Sequence, residues 1–398
     1  MSIWEWVFWI GAFIVGYTYV IYPTALIAVS QLKRRFSPEK YIPPDEWPEV
    51  TIVIPAYREA QSVKPKMESI RRLDYPQEKL RIVWVIATHE GDESFTPTVE
   101  AIQAYPEAEI IVVPHRGKIY SLNEARKHVK TELVLLTDAD VVLSPSSLRQ
   151  AVLHILQNPE IGIVGGTRQV ITMDNLVGQN EASFLSFDKE IARAESDWGY
   201  AFGLWGGFLL LRKPLWPSMP AGVVDDLYIN LYAGLSGKKV IIDSNIYSYE
   251  ATSILPDIEF RRKSRIAYTA FHTLRALEWR NFLKYPLFTF FFLSHKFFRY
   301  LPSPLALVVT LLSAGILAIQ NPFSGYGIAF LFQVLAWGEG LLLLRGALRR
   351  FPKGITLPGY FILAHWAQIV GFWKFLKGED PLKVWQRLPR TEIQPSQI

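Results

Sequence analysis

Two aspartates that follow an apolar run are the side chains of this sequence best suited to chemistry. Residues 133–136 are leucine or valine, and Asp138 and Asp140 come next with one alanine between them. Such a run is typical of a strand buried on both faces of a parallel sheet, and these sheets bind ligands at the carboxyl ends of their strands. Carboxylate oxygens bind hard divalent cations, and a cation there can hold a diphosphate. The alternative is a polar turn whose acids cap the next helix.

The elements that would position these aspartates alternate along the chain from residue 50. Apolar runs predict strands at 50–54, 80–87, 110–113, 133–137, 161–164, 206–212 and 239–242. Helical spacing predicts helices at 62–73, 95–104, 118–129, 145–157 and 176–194, and another that begins near Asp225. This alternation predicts an α/β domain with a mostly parallel, Rossmann-like sheet.

The rest of the chain has the composition of a membrane protein. Half of the residues are hydrophobic and 14 % are aromatic, which is too apolar for an ordinary soluble enzyme. Residues 3–32 are long enough to cross a bilayer, and the basic cluster after them predicts an outside amino terminus and a cytoplasmic domain. Because the basic clusters flank apolar segments, we interpret the net charge of +5 as membrane-facing rather than nucleic-acid-binding. The absence of cysteine excludes disulfides and thiol nucleophiles.

These patterns divide the chain into five parts. We predict an N-terminal transmembrane helix at 1–36, a cytoplasmic catalytic domain at 37–257, amphipathic interface helices at 258–300, transmembrane helices at 301–376 and a basic tail at 377–398. Within 301–376, residues 304–319, 327–344 and 357–375 are the spanning candidates. Three full spans would put the basic tail outside, so either 285–300 also crosses or the last segment re-enters. His295 and Lys296 interrupt the segment 285–300, where they either contact an acceptor phosphate or lie at the interface.

Further polar stretches are expected at the same sheet edge as the two aspartates or close to the membrane. They contain Pro55, Tyr57, Glu59, Lys118, Asn123, Asp225, Asp226, Arg262, Arg265 and Trp385. Lys118 begins a helix, and a helix amino terminus favours phosphate.

Taken in order, these stretches resemble a membrane-bound family 2 glycosyltransferase of the GT-A fold, of the cellulose synthase-like but non-processive type. The resemblance implies a nucleotide-diphospho-sugar transferase domain flanked by transmembrane helices. It also implies inverting transfer from a nucleotide sugar, usually a UDP-sugar, with Mg²⁺ or Mn²⁺ as cofactor.

The resemblance assigns a role to each residue that matches the family pattern. Asp140 is the expected metal ligand, with Asp138 beside it and nearer the nucleotide. The acidic pair Asp225 and Asp226 supplies the general base, for which we favour Asp226. The expected donor-binding residues are Pro55, Tyr57, Glu59, Lys118, Asn123, Asp138, Arg262 and Arg265, and Trp385 is a candidate for closing the site.

Some of these residues also have ordinary structural interpretations. Asp225 and Asp226 suit the first turn of a helix, where acids are favourable. Arg262 and Arg265 suit lipid headgroups, and Trp385 suits the aromatic belt of a membrane interface.

Two departures from the family pattern affect the substrate. Thr88 stands where the family usually carries an aspartate that pairs with the base, which leaves the nucleotide open. The tryptophan with which processive members hold a growing polymer is replaced by Ile266. We therefore expect a single addition to a membrane lipid or lipid-linked acceptor at the inner (plasma) membrane. The alternatives are a processive polysaccharide synthase and a catalytically silent membrane scaffold.

Overall fold

A mixed β-sheet forms the centre of the catalytic half of the chain. The computed structural model describes residues 1–36, 44–171, 176–251, 256–346 and 353–380. The strands are β1 Val50–Ala56, β2 Leu80–Thr88, β3 Ala108–Pro114, β4 Leu133–Leu136, β5 Val142–Leu143, β6 Ile161–Ile171, β7 Leu209–Arg212 and β8 Lys239–Ala251. They lie in the order β3-β2-β1-β4-β7-β6-β8-β5. β1 to β4 are parallel, and β7 runs antiparallel between β4 and β6. The prediction of a mostly parallel α/β sheet is confirmed.

Alternate residues of the central strands fill two hydrophobic layers. Ile52, Ile54 and Leu135 point to one layer, and Val53 and Val134 point to the other. All of these side chains are buried, because helices cover both faces of the sheet. The strands that the sequence predicts are present, although β7 begins at Leu209 rather than Gly206 and β8 continues to Ala251.

The helices form a covering layer and a membrane-proximal bundle. They are α1 Ile3–Gly16, α2 Tyr22–Phe36, α3 Ala60–Arg71, α4 Phe95–Gln103, α5 Lys118–His128, α6 Ser147–Gln157, α7 Leu176–Ser196, α8 Asp225–Leu235, α9 Pro256–Arg275, α10 Pro286–Phe292, α11 Phe298–Tyr300, α12 Pro302–Gln320, α13 Gly325–Leu344 and α14 Lys353–Leu376. A π-helical turn, Tyr17–Ile21, joins α1 to α2, and a second one, Leu293–Phe297, joins α10 to α11.

Three helical segments are long and apolar enough to cross a bilayer. Within the described residues these are Ile3–Arg35, Pro302–Gln320 and Gly325–Leu344. The expected span at 357–375 is a helix, α14, which is not among these three. Residues 286–300 form one helical run of α10, the π-helical turn and α11, which is too short to be among these segments.

Helix α14 packs closely on α9 through a glycine. A Cβ atom at Gly371 would lie 2.5 Å from the carbonyl oxygen of Ser264 and 2.8 Å from the Cβ of Ala267. Both contacts involve atoms close to the backbone, which cannot move aside without shifting the helix. The glycine therefore sets the distance between the two helices.

We predict that Gly371→Ala destabilises the protein by about 1–3 kcal/mol, because the added methyl group forces α14 away from α9. The thermal midpoint in detergent measures the effect. Gly338→Ala is the matched control, since a Cβ at Gly338 in α13 meets no atom within 4 Å. Equal midpoints for the two variants would contradict the close packing.

Candidate functional site

A lysine between two carboxylates forms the centre of the candidate site. The Nζ atom of Lys118 lies 2.6 Å from Oδ1 of Asp138 and 2.8 Å from Oδ2 of Asp225. The aspartates come from the end of β4 and the start of α8, and Lys118 is the first residue of α5. Gly117 precedes it with φ +87°, a conformation that favours glycine, and it turns the chain into this helix. Three residues that the sequence assigns to one site are thus in direct contact.

The charges of these three groups depend on one another. Burial lowers the pKa of Lys118, but the carboxylates of Asp138 and Asp225 more than compensate and raise it above its ordinary value. Burial raises the pKa of Asp138; Lys118 lowers it, and Asp140 and Asp225 raise it further. Negative charge is therefore in excess at this edge of the sheet, so a cation would be stabilised here.

The donor set suits a divalent cation that shares its coordination with a substrate. No group of three or more His, Asp or Glu side chains placed to hold a metal is found in the described ranges. Asp138 and Asp140, on the turn after β4, offer two carboxylates instead. Mg²⁺ is commonly held by one or two carboxylates together with substrate phosphates, so the residues present fit such an ion.

A buried lysine beneath this turn was not singled out from the sequence. Lys66 in α3 is fully buried, and its Nζ donates to Oγ1 of Thr137 at 2.6 Å and to the carbonyl oxygen of Val141 at 2.9 Å. Thr137 in turn donates to the carbonyl oxygen of Gly207 at 2.6 Å. Lys66 thus binds both ends of the turn that carries Asp138 and Asp140. Its spacing from Val63 and Ile70, on the buried face of α3, was the available signal.

Asp226 lies next to the central lysine cluster. Its Oδ1 accepts a hydrogen bond from the backbone N–H of Leu227 at 2.6 Å. Burial, together with the charge of Asp225, raises the pKa of Asp226 to about 7, although Lys118 and Lys296 act in the opposite direction. A carboxylate with this pKa can take up a proton near neutral pH.

Aromatic rings lie at the ends of β1, β2 and β3. Tyr57 stacks on His115 with ring centroids 3.9 Å apart, and its hydroxyl lies 3.3 Å from Nε2 of His89. The guanidinium of Arg58 lies over Tyr57, and Arg58 has a left-handed φ of 59°. The sequence predicted the tyrosine but assigned no role to the two histidines, which only the sheet order brings together.

Two other residues of this edge are placed by local structure. Pro55 is part of β1, opposite Val85. Glu59 precedes α3 and accepts a hydrogen bond from the hydroxyl of Ser62 at 2.7 Å. The buried carboxylate near this edge belongs to Asp92, since the position of the family's usual aspartate is Thr88. Asp92 accepts a hydrogen bond from the hydroxyl of Ser94, and its Oδ1 lies 3.6 Å from Nε of Arg58.

The remaining predicted site residues are engaged elsewhere or lie outside the described residues. Arg262 forms a two-point ion pair with buried Glu259 on its own helix, at 2.8 and 3.0 Å. Although burial raises the pKa of Glu259, Arg262 and Lys263 lower it well below its usual range. Arg265 is half-buried on the same helix. Trp385 lies outside the described residues.

The side chain of Asn123 holds the loop around Met219 through two hydrogen bonds. Its Nδ2 donates to the carbonyl oxygen of Met219 at 2.7 Å, and its Oδ1 accepts from the N–H of Met219 at 2.9 Å. Met219 lies in the segment that leads to Asp225. Asn123 therefore positions α8, and a donor contact would require these bonds to break.

We predict that Asn123→Ala lowers the free energy of unfolding by about 1–3 kcal/mol, because two polar backbone groups of Met219 lose their partner. Asn281→Ala, which removes only solvent-exposed hydrogen bonds to Glu278 and Lys284, is the control and should leave the thermal midpoint nearly unchanged. A variant Asn123→Ala of full stability with reduced nucleotide-sugar binding would show instead that the side chain serves the donor.

Comparison with known proteins relates this site to a family. Residues 48–206 match the family model described as glycosyltransferase like family 2. The matched segment contains Lys118, Asp138 and Gly206 and ends before Asp225.

Curated relatives match a segment of similar length. The poly-beta-1,6-N-acetyl-D-glucosamine synthase of Staphylococcus epidermidis is 24 % identical over 169 residues, which are 41 % of this chain and 39 % of that protein. The enzyme of the same name from Staphylococcus aureus is 21 % identical over 174 residues, 42 % and 40 % of the two chains. The match thus spans about 40 % of the length of these relatives.

A solved structure matches nearly the whole chain. The mannosyltransferase PcManGT from Pyrobaculum calidifontis, in complex with GDP-Man and Mn²⁺, superposes with a TM-score of 0.68 at 20 % identity and covers 94 % of this chain and 100 % of its own. This likeness shows the fold, which includes the membrane-proximal helices as well as the sheet. Residues 48–206 thus match the glycosyltransferase-like family 2, and they contain most of the strands of the sheet.

Proposed function

We propose that this protein is an inverting glycosyltransferase that moves a sugar from a nucleotide-diphosphate sugar to a membrane lipid or lipid-linked acceptor. The observation that carries the proposal is the contact of Lys118 with both Asp138 and Asp225, beside Asp226. This contact supports the proposal, because an ammonium suited to a diphosphate, carboxylates suited to a metal ion and a candidate base lie in one small region.

The donor would lie along the carboxyl edge of the sheet. The stacked rings of Tyr57 and His115 offer a surface for a nucleobase. Lys118 and the amino terminus of α5 suit the diphosphate. Asp138 and Asp140 would hold Mg²⁺ or Mn²⁺, which supplies positive charge to the departing diphosphate. The complex of PcManGT with GDP-Man and Mn²⁺ supports this arrangement by analogy of fold.

The transfer step requires one proton acceptor. An acceptor hydroxyl forms a bond to the anomeric carbon from the face opposite the diphosphate and gives its proton to Asp226. The bond between the anomeric carbon and the diphosphate oxygen breaks, and its electron pair stays with the nucleoside diphosphate. Lys118 stabilises the charge that develops on that leaving group. Asp225, which is paired with Lys118, keeps the ammonium in place.

A processive synthase is the second candidate function, because the curated relatives are named as synthases of a polymer. Single addition and polymerisation give different products from the same donor. A ladder of product sizes would favour the synthase, and one added sugar would favour the transferase.

The membrane helices suggest which side of a bilayer the domain occupies. Two spans, α12 and α13, follow the domain and would return the chain to the side on which the domain lies. The basic tail would then share that side, in agreement with the positive-inside rule. We therefore place the domain on the cytoplasmic face.

We predict that Asp226→Asn lowers kcat by at least about a hundredfold with little change in donor affinity, since it removes the base and keeps the shape of the side chain. Asp140→Ala should instead weaken the metal-dependent binding of the donor. Hydrolysis and binding of UDP-glucose, UDP-N-acetylglucosamine and GDP-mannose, with and without Mn²⁺, measure both effects.

Asp74→Asn is the matched control, because Asp74 is exposed and pairs only with Arg149 among the described residues. It should keep wild-type turnover. Full activity in both site variants would refute the assigned roles, and a wild-type protein that neither binds nor hydrolyses any donor would favour the silent scaffold.

The raised pKa of Asp226 predicts the pH dependence of the reaction. The base acts when it is ionised, so kcat/KM should fall about tenfold per pH unit below pH 7 and level off above it. The thermal midpoint measured over the same pH range separates this effect from unfolding. Any residual activity of Asp226→Asn should lack this acidic limb; an unchanged profile would assign the ionisation to another group.

A further inference from the structure

A half-buried lysine lies between the candidate base and the membrane-spanning helices. Lys296 belongs to the π-helical turn that precedes α12. Leu227, the neighbour of Asp226, lies in one hydrophobic cluster with Leu293 and Phe297 of this turn, so the turn packs near the candidate base. The charge of Lys296 lowers the pKa of Asp226, which agrees with this placement. In the part of the chain that the structure describes, the ammonium of Lys296 makes no hydrogen bond or ion pair.

The other acids near Lys296 are already engaged. Asp188 pairs with Arg299. Glu195 is fully buried and lies 2.8 Å from Nδ1 of His295; burial raises the pKa of Glu195 to about 8, so it is mostly neutral at pH 7. Burial lowers the pKa of Lys296, as expected for an ammonium that lacks a full counter-charge.

Glu195 also anchors the first membrane helix at this place. It accepts hydrogen bonds from the hydroxyl of Tyr22 at 2.7 Å and from the backbone N–H of Phe202 at 2.9 Å. The region around Lys296 is therefore a junction of the catalytic domain, the N-terminal helix and the segment before α12.

Two irregular turns meet at this junction. The hydroxyl of Tyr17, in the first π-helical turn, lies 2.7 Å from Oγ of Ser294, in the second. Such turns occur frequently at functional sites. Next to Lys296, the side chain of His295 is 1 % exposed and its Nε2 has no hydrogen-bond partner among the described residues. Two polar groups with unused bonding capacity thus lie on the turn that packs near Asp226 and precedes α12.

We propose that Lys296 binds a phosphate-type anion on the lipid acceptor and so holds the acceptor hydroxyl at Asp226. An ammonium binds phosphate as a point charge, and an anion there would supply the counter-charge that the protein lacks. The position between Asp226 and α12 requires a ligand that reaches the site from the bilayer. This inference rests on the proposed function and narrows the acceptor to an anionic lipid with a free hydroxyl.

Direct binding of radiolabelled dodecyl phosphate to the full chain in an uncharged detergent tests the inference. We expect saturable binding to the wild type, with binding about ten- to a hundredfold weaker in Lys296→Met and mostly kept in Lys296→Arg. Lys284→Met is the matched control, because Lys284 is exposed and bonds only Asn281 among the described residues. It should bind like the wild type.

Three further ligands distinguish the source of the anion. Dodecanol should not compete, inorganic phosphate should compete weakly, and phosphatidylserine, an anionic lipid without a free hydroxyl, should compete less well than dodecyl phosphate. Equal binding of dodecyl phosphate by Lys296→Met and the wild type would overturn the proposal. So would equal affinity for inorganic phosphate, or full competition by phosphatidylserine, which would indicate a bulk-lipid contact.

A second measurement needs no variant. Dodecyl phosphate should protect Lys296 of the wild type from an amine-reactive reagent, as read by mass spectrometry, while Lys284 stays reactive; absence of protection counts against the proposal. Donor hydrolysis by the wild type is measured separately. Its failure would refute the proposed function, whereas hydrolysis without anion binding at Lys296 would refute this inference alone.

Discussion

The ion pairs of Lys118 are the interaction on which the candidate site depends. They join the end of β4 to the start of α8, two segments that are distant in sequence and lie on different parts of the sheet. Without the ammonium, the carboxylates of Asp138 and Asp225 would repel each other in a partly buried region. A donor diphosphate would have to share Lys118 with these carboxylates, and a metal ion at Asp138 would release part of the lysine for that purpose.

The turn that carries Asp138 and Asp140 is fixed from below by a second lysine. Lys66 binds Thr137 and Val141, which lie on either side of the two aspartates. Side chains that bind metal and substrate need support that holds them in one geometry, and a buried ammonium with two oxygen partners provides it. Burial lowers the pKa of Lys66 to about 7, so this support is sensitive to the charges of the aspartates above it.

Local sequence patterns predicted the ends of the strands and helices that carry the candidate site. The apolar run before Asp138, the glycine before Lys118 and the acids at the start of α8 each identify an element end, and parallel strands bring such ends together. Three contacts were not predicted: the bond from Lys66 to the turn, the stacking of His115 on Tyr57 and the hydrogen bond from Asn123 to Met219. They depend on how distant elements pack together, which no local pattern contains.

The reversed strand in the middle of the sheet, β7, explains a glycine at the site. Because β7 runs antiparallel to β4, its beginning lies at the edge where β4 ends. Gly206, just before β7, is thereby brought against the charged cluster: a Cβ atom there would lie 3.2 Å from Nζ of Lys118 and 3.4 Å from Oδ2 of Asp138. A larger side chain would contact Lys118 and separate its ammonium from Asp138 or Asp225. The topology of the sheet thus requires a small residue at this position for the ion pairs to form.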